Sequence, residues 1–402
     1  MFVSGNDYRK GFRINNELLY KMKLSKYIGR QIKNVLYFFI ILPNKYSLYK
    51  GIRKLYRINK KDFPQISREN VREHFRLWSK LGSKPSLLWY KVFRGLSGID
   101  DPRFVPEPFY FHKIELILNN KMLSSAYSDK NSYHKIIDNV YLPDVYLRNI
   151  EGTYYTGNYA YADNPEKIDD FIPSGVTRIV TKASMGPGGG RSIQMFERLN
   201  DKWVNSAGNI LDLNYLVRTY RKDFLIQQHI KQHSSYRFFN KTSVNTLRLF
   251  TYRSVKDNKV IPLNILLRIG GKQSVVDNLM SGGVGCGVDH SGRVKHYAIN
   301  KKGQRFEEYN GIRFSEVEPL YRFEEIINAG LEIAKKFYYH RLIGFDLCLD
   351  EEEKIKLIEV NLDDIGVIIQ QSCNGPLFGE YTDEIIDFCA ENKKIISFDF
   401  TL

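Results

Sequence analysis

Cysteine is scarce in this chain, with only Cys286, Cys348, Cys373 and Cys389 among 402 residues and no CxxC pair or other zinc spacing. So few thiols exclude a disulfide framework and point to a reducing compartment. Long hydrophobic runs are missing as well. The longest near the N-terminus, Val35 to Leu42, has eight residues, far short of the roughly 20 that span a bilayer. A charged start followed by an apolar stretch and a small-residue cleavage site is also missing, so secretion is not expected. The expectation is a cytoplasmic protein. There is no internal repeat and no low-complexity tract. Acidic residues are rare at one end only. Met1 to Lys60 carries fourteen Lys or Arg against Asp7 and Glu17, which leaves +12 of the chain's +15 in this segment. The remainder is almost neutral.

What is present is apolar and aromatic: 43% of the residues are hydrophobic, with 27 Tyr and 25 Phe, enough for a large core or several smaller ones. The basic N-terminal stretch mixes Lys21, Lys23, Lys26, Arg30 and Lys33, then Lys45, Lys50, Arg53, Lys54 and Arg57, with Tyr and Leu. A solvated helical face has that composition; so does a segment held at an anionic membrane surface, and less readily one that binds nucleic acid. Residues 1–115 read as a helical, basic N-terminal region in which Asn70 to Leu81 has helical periodicity. The proline-rich stretch Asp101 to Pro108 then breaks helicity. Residues 116–170 read as a small α/β unit, with strands expected at Ile114 to Leu118 and Val145 to Leu147 flanking the polar turn Ser128 to Asn131.

Beyond residue 170 the pattern changes. Arg178 to Lys182 and Ser192 to Phe196 are β-prone runs on either side of a glycine-rich loop, which predicts a hairpin; residues 171–230 form one unit on this reading and residues 231–402 another. Asp212 to Lys222 reads as a helix capped by Asp212, and Phe224 to Ile230 as a buried strand. Further strands are expected at Thr246 to Arg253, Val260 to Arg268, Ile343 to Leu349 and Lys356 to Val360, with a helix over Phe323 to Tyr339.

Four elements carry chemistry. Lys182 precedes Gly186, Gly188, Gly189 and Gly190; glycines let backbone N–H groups approach phosphate oxygens, and the lysine adds positive charge. The order is not that of a Walker A loop, whose lysine follows its glycines. Asp346, Glu359 and Asn361 sit on two strands joined by the acidic turn Asp350 to Glu353; Glu359 and Asn361 are two apart and share a face, and such oxygen donors suit Mg²⁺. Asn245, Arg248 and Arg268 offer planar donors for phosphoryl oxygens, with an ordinary salt bridge as the alternative. A polar loop with Asp277, Asn278, Gly282 and Gly283 suits the wall of a substrate pocket.

Taken in order, Lys182 with its glycines, the Gln227 to Ile230 strand, Asn245 and Arg248, the Asp277 to Gly283 loop, then Asp346 and Glu359-Val-Asn361 resemble the ATP-grasp superfamily. More narrowly the chain resembles the sugar-transfer-associated ATP-grasp group of polysaccharide biosynthesis, including cell-surface and capsule pathways. The resemblance runs from about Asp101 to about Gly379 and takes in Asp129-Lys130. It implies an α+β, ATP-grasp fold in which two α+β subdomains sandwich ATP, with a helical basic N-terminal extension. It also implies that the glycine loop is a lid, that Lys182 contacts phosphate, and that Gln228, His229 and Ile230 line the adenine pocket. Gln227-Gln228 stands where many relatives carry an acid. The implied activity is an ATP- and Mg²⁺-dependent carboxylate–amine ligase that makes an acyl phosphate of a sugar acid or lipid-linked glycan precursor. Its expected place is the cytoplasm, peripheral at the inner face of the membrane through residues 1–60, with no nucleic acid partner. A phosphotransferase of the same fold and a non-catalytic ATP-binding scaffold are the alternatives.

Overall fold

The computed structural model describes residues 42–185, 193–272, 274, 277, 279 and 282–392. Two compact units divide the chain, residues 51–393 and residues 1–50 with 394–402. Of the second, only 42–50 belongs to the described residues, and it is helical. Among the described residues no helix is long and apolar enough to cross a membrane.

The larger unit opens with helices. Ser67 accepts a hydrogen bond from the Asn70 backbone N–H at 3.0 Å and starts the helix Arg68–Ser79, as N-terminal serines do by satisfying an orphan donor. The helix Leu87–Ser97 follows and stops where Gly98 takes a left-handed φ of 79°. Ile114 to Leu118, expected as a strand, is helical instead: a π-helical turn Tyr110–Ile114 runs into the helix Glu115–Leu118. Ile114 and Leu118 are four apart and both buried, the spacing of one helix face, which an isolated five-residue apolar run conceals. The polar turn at Ser128 to Asn131 consequently joins two helices, Lys121–Ser128 and Tyr133–Ile136, and not two strands.

Two antiparallel sheets follow. The first has strands β1 (Val145–Ile150), β2 (Thr153–Thr156), β3 (Arg178–Ala183), β4 (Gln194–Leu199), β5 (Lys202–Asn205) and β6 (Phe224–Gln228), ordered β2-β1-β6-β3-β4-β5. The predicted hairpin on either side of the glycine loop is the β3–β4 pair. The helix Leu213–Tyr220 starts at Asp212, whose carboxylate accepts from the Tyr215 N–H at 2.6 Å. The second sheet contains β7 (Thr246–Arg253), β8 (Val260–Ile269), β9 (Val284–Val288), β10 (Val294–Asn300), β11 (Arg305–Phe306), β14 (Leu342–Leu349) and β15 (Ile355–Asn361), with the small hairpin β12 (Glu308–Tyr309) and β13 (Ile312–Arg313) between them in the chain. Its order is β11-β10-β9-β8-β7-β14-β15.

Alternation along the strands decides which face is core. On the large sheet Leu247, Leu249, Phe345 and Leu347 pack with the helix Phe323–Lys335 on one side. Phe250, Tyr252 and Leu342 face the other way, under Trp78, Tyr110 and Ile385 from the flanking helices. On the small sheet Leu147, Ile179, Phe196, Phe224 and Ile226 form the core with Leu216. Each sheet therefore has a face partly left for something other than apolar packing.

The loop after β2 returns against β1 so closely that a Cβ on Gly157 would lie 1.8 Å from the Val145 carbonyl oxygen. Neither group can yield without moving a strand, so Gly157→Ala is expected to cost about 1–3 kcal/mol, read as a lower urea midpoint than that of the parent protein.

Candidate active site

Residues directly opposite in a ladder point to the same side. Asp346 pairs with Arg248 of β7 on one side and with Glu359 of β15 on the other; Gly344 pairs with Asn361, and Thr246 with Arg268. These side chains thus continue the row that begins with the buried Phe250 and Leu342, but beyond the helical cover. One face of the sheet is apolar at one end and charged at the other. The two strands predicted to carry Asp346, Glu359 and Asn361 do bring them onto one surface.

Asp346 is 2% exposed and fully engaged. Arg248 donates Nε to its Oδ1 at 2.7 Å and Nη2 to its Oδ2 at 2.5 Å, and Arg268 donates Nη1 to Oδ2 at 2.7 Å. Burial pushes this carboxyl upward, but Arg248 and Arg268 outweigh it and hold the group well below the usual carboxylate range. Arg268 also pairs with Asp277 at 3.2 Å, and Asp277 accepts from the Thr246 backbone N–H at 3.2 Å and from its hydroxyl. Burial raises Asp277 despite Arg268. Both arginines are thus in ion pairs that the sequence left open as an alternative to phosphoryl binding. Asn245, beside them in sequence, serves a local fold: its amide donates to Gln232 Oε1 and to the Tyr236 and Asn240 carbonyls at 3.0 Å.

The small sheet supplies the opposing cations. Arg148 and Lys182 both pair with Leu225 of β6, so they flank it on the face turned away from the apolar core. Between the sheets lies the segment 129–136. Its Lys130 N–H donates to the Ser184 carbonyl at the end of β3 at 3.0 Å, and the Asn131 amide donates to the Asn149 carbonyl at 3.0 Å. Toward the large sheet, Tyr133 Oη accepts from the Val360 N–H at 2.9 Å, and Lys130 Nζ donates to Glu359 Oε1 at 2.9 Å. Lys182 has no ion-pair partner among the described residues, and its burial, reinforced by nearby Lys130 and only partly offset by Glu359, lowers it to about 7. A buried ammonium without a counter-ion is costly unless an anion arrives.

The donor set Asp346, Glu359 and Asn361 has the hard oxygens that Mg²⁺ requires. Among the described residues no cluster of three or more His, Cys, Asp or Glu is poised as a metal site; the candidate set has two carboxylates and an amide. Glu359 is 30% exposed at its side chain and has Lys130 as its ion-pair partner, and Asn361 uses only its amide N–H, toward the Gly344 carbonyl at 3.2 Å. These two fit such an ion, with Asp346 behind them. At the proposed adenine wall, Gln228 exchanges backbone and side-chain hydrogen bonds with Asp144 at 2.8 and 3.3 Å, and Ile230 is buried. His229 is lowered by burial, and its buried Nδ1 has no partner among the described residues. Ser184 Oγ, at the start of the glycine loop, likewise has no partner among the described residues. Gly186, Gly188, Gly189 and Gly190, and Asn278 of the substrate loop, lie outside the described residues. Gly282 lies in that loop with φ 93°, its carbonyl accepting from Tyr309 Oη at 2.9 Å, and Gly283 leads into β9.

Sequence reasoning missed Lys130 as a site residue, and Arg148 and His134 entirely. Arg148 is fully buried, donates to His134 Nδ1 at 2.9 Å, and stacks on Tyr159 at 4.4 Å; burial with Arg148 and Lys182 nearby lowers His134 to about 4. A lone arginine in an apolar strand was the available signal. A groove of about 510 Å³ between Phe238 and Ile312–Tyr321 contains none of these side chains.

Removing Arg268 leaves Asp346 and Asp277 under-neutralised. Arg268→Met is expected to cost about 3–5 kcal/mol at neutral pH. Because the freed carboxylates gain pKa, the loss shrinks as pH falls toward about 5, and adding Asp277→Asn recovers part of it. Urea denaturation at both pH values measures this.

The amino-acid chain matches the family model described as sugar-transfer associated ATP-grasp over residues 112–384. No curated protein matches it in sequence. Among solved structures it is similar to D-alanine–D-alanine ligase from Bacillus anthracis, at 15% identity over 68% of this chain and 69% of that one, TM-score 0.38. It is also similar to N5-carboxyaminoimidazole synthetase from Staphylococcus aureus complexed with ADP, at 9% identity over 69% and 53%, TM-score 0.35. A third likeness is to L-amino acid ligase from Bacillus licheniformis, at 14% identity over 60% and 41%, TM-score 0.31. The chain spans about half the length of the latter two. With the family model covering more than half of its residues, the chain belongs to the sugar-transfer associated ATP-grasp family.

Proposed function

We propose that this protein is an ATP-grasp ligase that joins a carboxylate to an amine through an acyl phosphate, acting on a sugar acid or lipid-linked glycan precursor beside an anionic membrane surface. The observation that carries the reading is the buried Lys182 ammonium, without a counter-ion, facing the Lys130–Glu359 pair across the cleft between two sheets. Lys182 and Lys130 would neutralise nucleotide phosphates. The orphaned His229 Nδ1 is a partner for a base edge. Glu359 and Asn361, with Asp346 behind, would hold Mg²⁺, which supplies charge neutralisation on the phosphate oxygens.

In the proposed reaction a substrate carboxylate oxygen attacks the γ-phosphorus while the bond to the β–γ bridging oxygen breaks and ADP leaves. The amine nitrogen then attacks the acyl carbon, and phosphate leaves with the electrons of the C–O bond. Arg248 and Arg268, fixed by Asp346, contribute guanidinium donors already held in place, at no reorganisation cost.

Glu359→Gln is expected to lower amine-dependent ADP release roughly a hundredfold or more, with an unchanged melting temperature; turnover equal to that of the parent would remove Glu359 from the site. Mass spectrometry of the product separates an amide from a phosphorylated acceptor. The depressed Lys182 adds a pH signature. Above about 7 its free form is neutral, and a bound nucleotide favours the cation, so binding takes up a proton. ADP affinity should therefore fall as pH rises from about 6 to about 8, by at most about tenfold per unit for one proton. Calorimetry should show a flatter profile for Lys182→Met.

A further inference from the structure

The larger unit begins with a helix through 51–59 and the 3₁₀ turn Lys60–Asp62. One side of it is anchored. Ile52 and Leu55 are 0% and 7% exposed, Tyr56 meets Phe63 at a ring separation of 6.0 Å, and the ring of Phe63 is so close to Gly95 that a Cβ there would lie 2.1 Å from it. Asn59 at the helix end donates its amide to the Lys302 carbonyl at 3.1 Å and to Leu55 at 2.9 Å. That bond brings the Lys302-Gly303 turn against the helix, with Gly303 at φ 75° and room for no Cβ beside Asn59.

The other side is mostly cationic. Arg53, Lys54, Arg57, Lys60, Lys61 and Lys302 are exposed, and none of them is in an ion pair among the described residues. From 51 to 62 the one acid is Asp62, against Arg53, Lys54, Arg57, Lys60 and Lys61. Arg53, Lys54 and Arg57 share a helical face by their spacing of three and four. Ile58, 47% exposed, projects beside Arg57. Mutual repulsion makes such a cluster unfavourable in isolation, and anchoring it on a buried Ile52–Leu55 face holds the charges together.

We propose that this platform, built from the helix through 51–59, the 60–62 turn and Lys302, is a docking surface for an anionic lipid bilayer. It rests on the membrane-side reading above and moves the contact from the first residues of the chain to a surface of the larger unit. Charge complementarity to acidic headgroups supplies the attraction. Ile58 decides between anionic partners, since an apolar side chain gains by entering the acyl boundary and gains nothing against a polynucleotide backbone.

The test uses the full chain and flotation with vesicles of phosphatidylcholine, with and without phosphatidylserine. The parent protein should float with the acidic vesicles only, and less as salt rises. Arg53→Gln, Lys54→Gln and Arg57→Gln together should weaken binding roughly a hundredfold, at about fivefold per basic side chain, while nucleotide affinity and melting temperature stay unchanged. Ile58→Ser should weaken it further. A control with Lys21→Gln, Lys23→Gln and Lys26→Gln should still bind. The reverse pattern, with binding lost in the control and kept in the platform variant, overturns the platform and leaves attachment through the first residues standing. Failure of the parent to float with acidic vesicles overturns both, and binding of a random-sequence RNA in place of vesicles, lost in the same triple variant, assigns the surface to nucleic acid and overturns the lipid assignment. None of these outcomes depends on the ligase activity, which the Glu359→Gln assay reads separately.

Discussion

The geometry of the cleft depends on one short segment held from both sides. Residues 129–136 bond to β3 and β1 through the Lys130 N–H and the Asn131 amide, and to β15 through Tyr133 Oη and Lys130 Nζ. A chain of backbone-directed hydrogen bonds is a stiff link because each one fixes both distance and angle. It sets the separation of Lys182 on one sheet and Glu359 on the other, and the Tyr133–Val360 bond is buried, where loss would leave an unsatisfied group. Lys130 is in consequence not merely a charge near the site. Its backbone belongs to the small sheet's end and its ammonium to the large sheet's edge.

Charge follows from that geometry. Around the cleft stand Lys130, Arg148, Lys182, Arg248 and Arg268, opposed by Asp277, Asp346 and Glu359. The excess is positive, and it is concentrated on the small-sheet side, where Arg148 is served by neutral acceptors and an aromatic face and Lys182 has no ion-pair partner among the described residues. A divalent cation alone would enter a field already balanced by guanidinium groups. A polyanionic nucleotide carrying its metal would bring negative charge to the small sheet and positive charge to Glu359 together, which is the combination the two faces complement.

How much of this is legible in the sequence differs by element. The β14–β15 hairpin was readable because two β-prone runs flank an acidic turn, and with it the shared face of Asp346, Glu359 and Asn361, although a register shift follows Asp346. The β3–β4 hairpin and the Asp212 cap were readable from turn and cap chemistry. By contrast Ile114 to Leu118 holds a single i,i+4 pair, too short a run to separate a helix from a strand, and took the wrong period, while β9, with Val-Gly-Cys-Gly-Val, was hidden by glycines that strands usually avoid. Lys130 and Arg148 were hard to read for another reason. Their roles come from segments far apart in sequence, Lys130 meeting Glu359 across 229 residues, and no local pattern encodes such a meeting. The charged pairs of Arg248 and Arg268 were open between two readings because an arginine in a strand looks the same whether it waits for a phosphate or holds a carboxylate.

The three oxygen-bearing residues on the large sheet are therefore not equivalent. Asp346 accepts three hydrogen bonds from two guanidinium groups and is almost wholly buried; exchanging those partners would leave Arg248 without its carboxylate and the buried Arg268 with Asp277 alone, so its first task is to fix Arg248 and Arg268 in place. Asn361 is neutral and loses little by changing partner. Glu359 alone combines a full negative charge with partial exposure and one flexible ammonium partner, and lysine exchanges partners more readily than arginine because it lacks a planar fork to be matched. Glu359 is thus the most exchangeable of the three, and on the proposed reading the rigid positions around it would make that exchange selective for a ligand that compensates Lys182 at the same time.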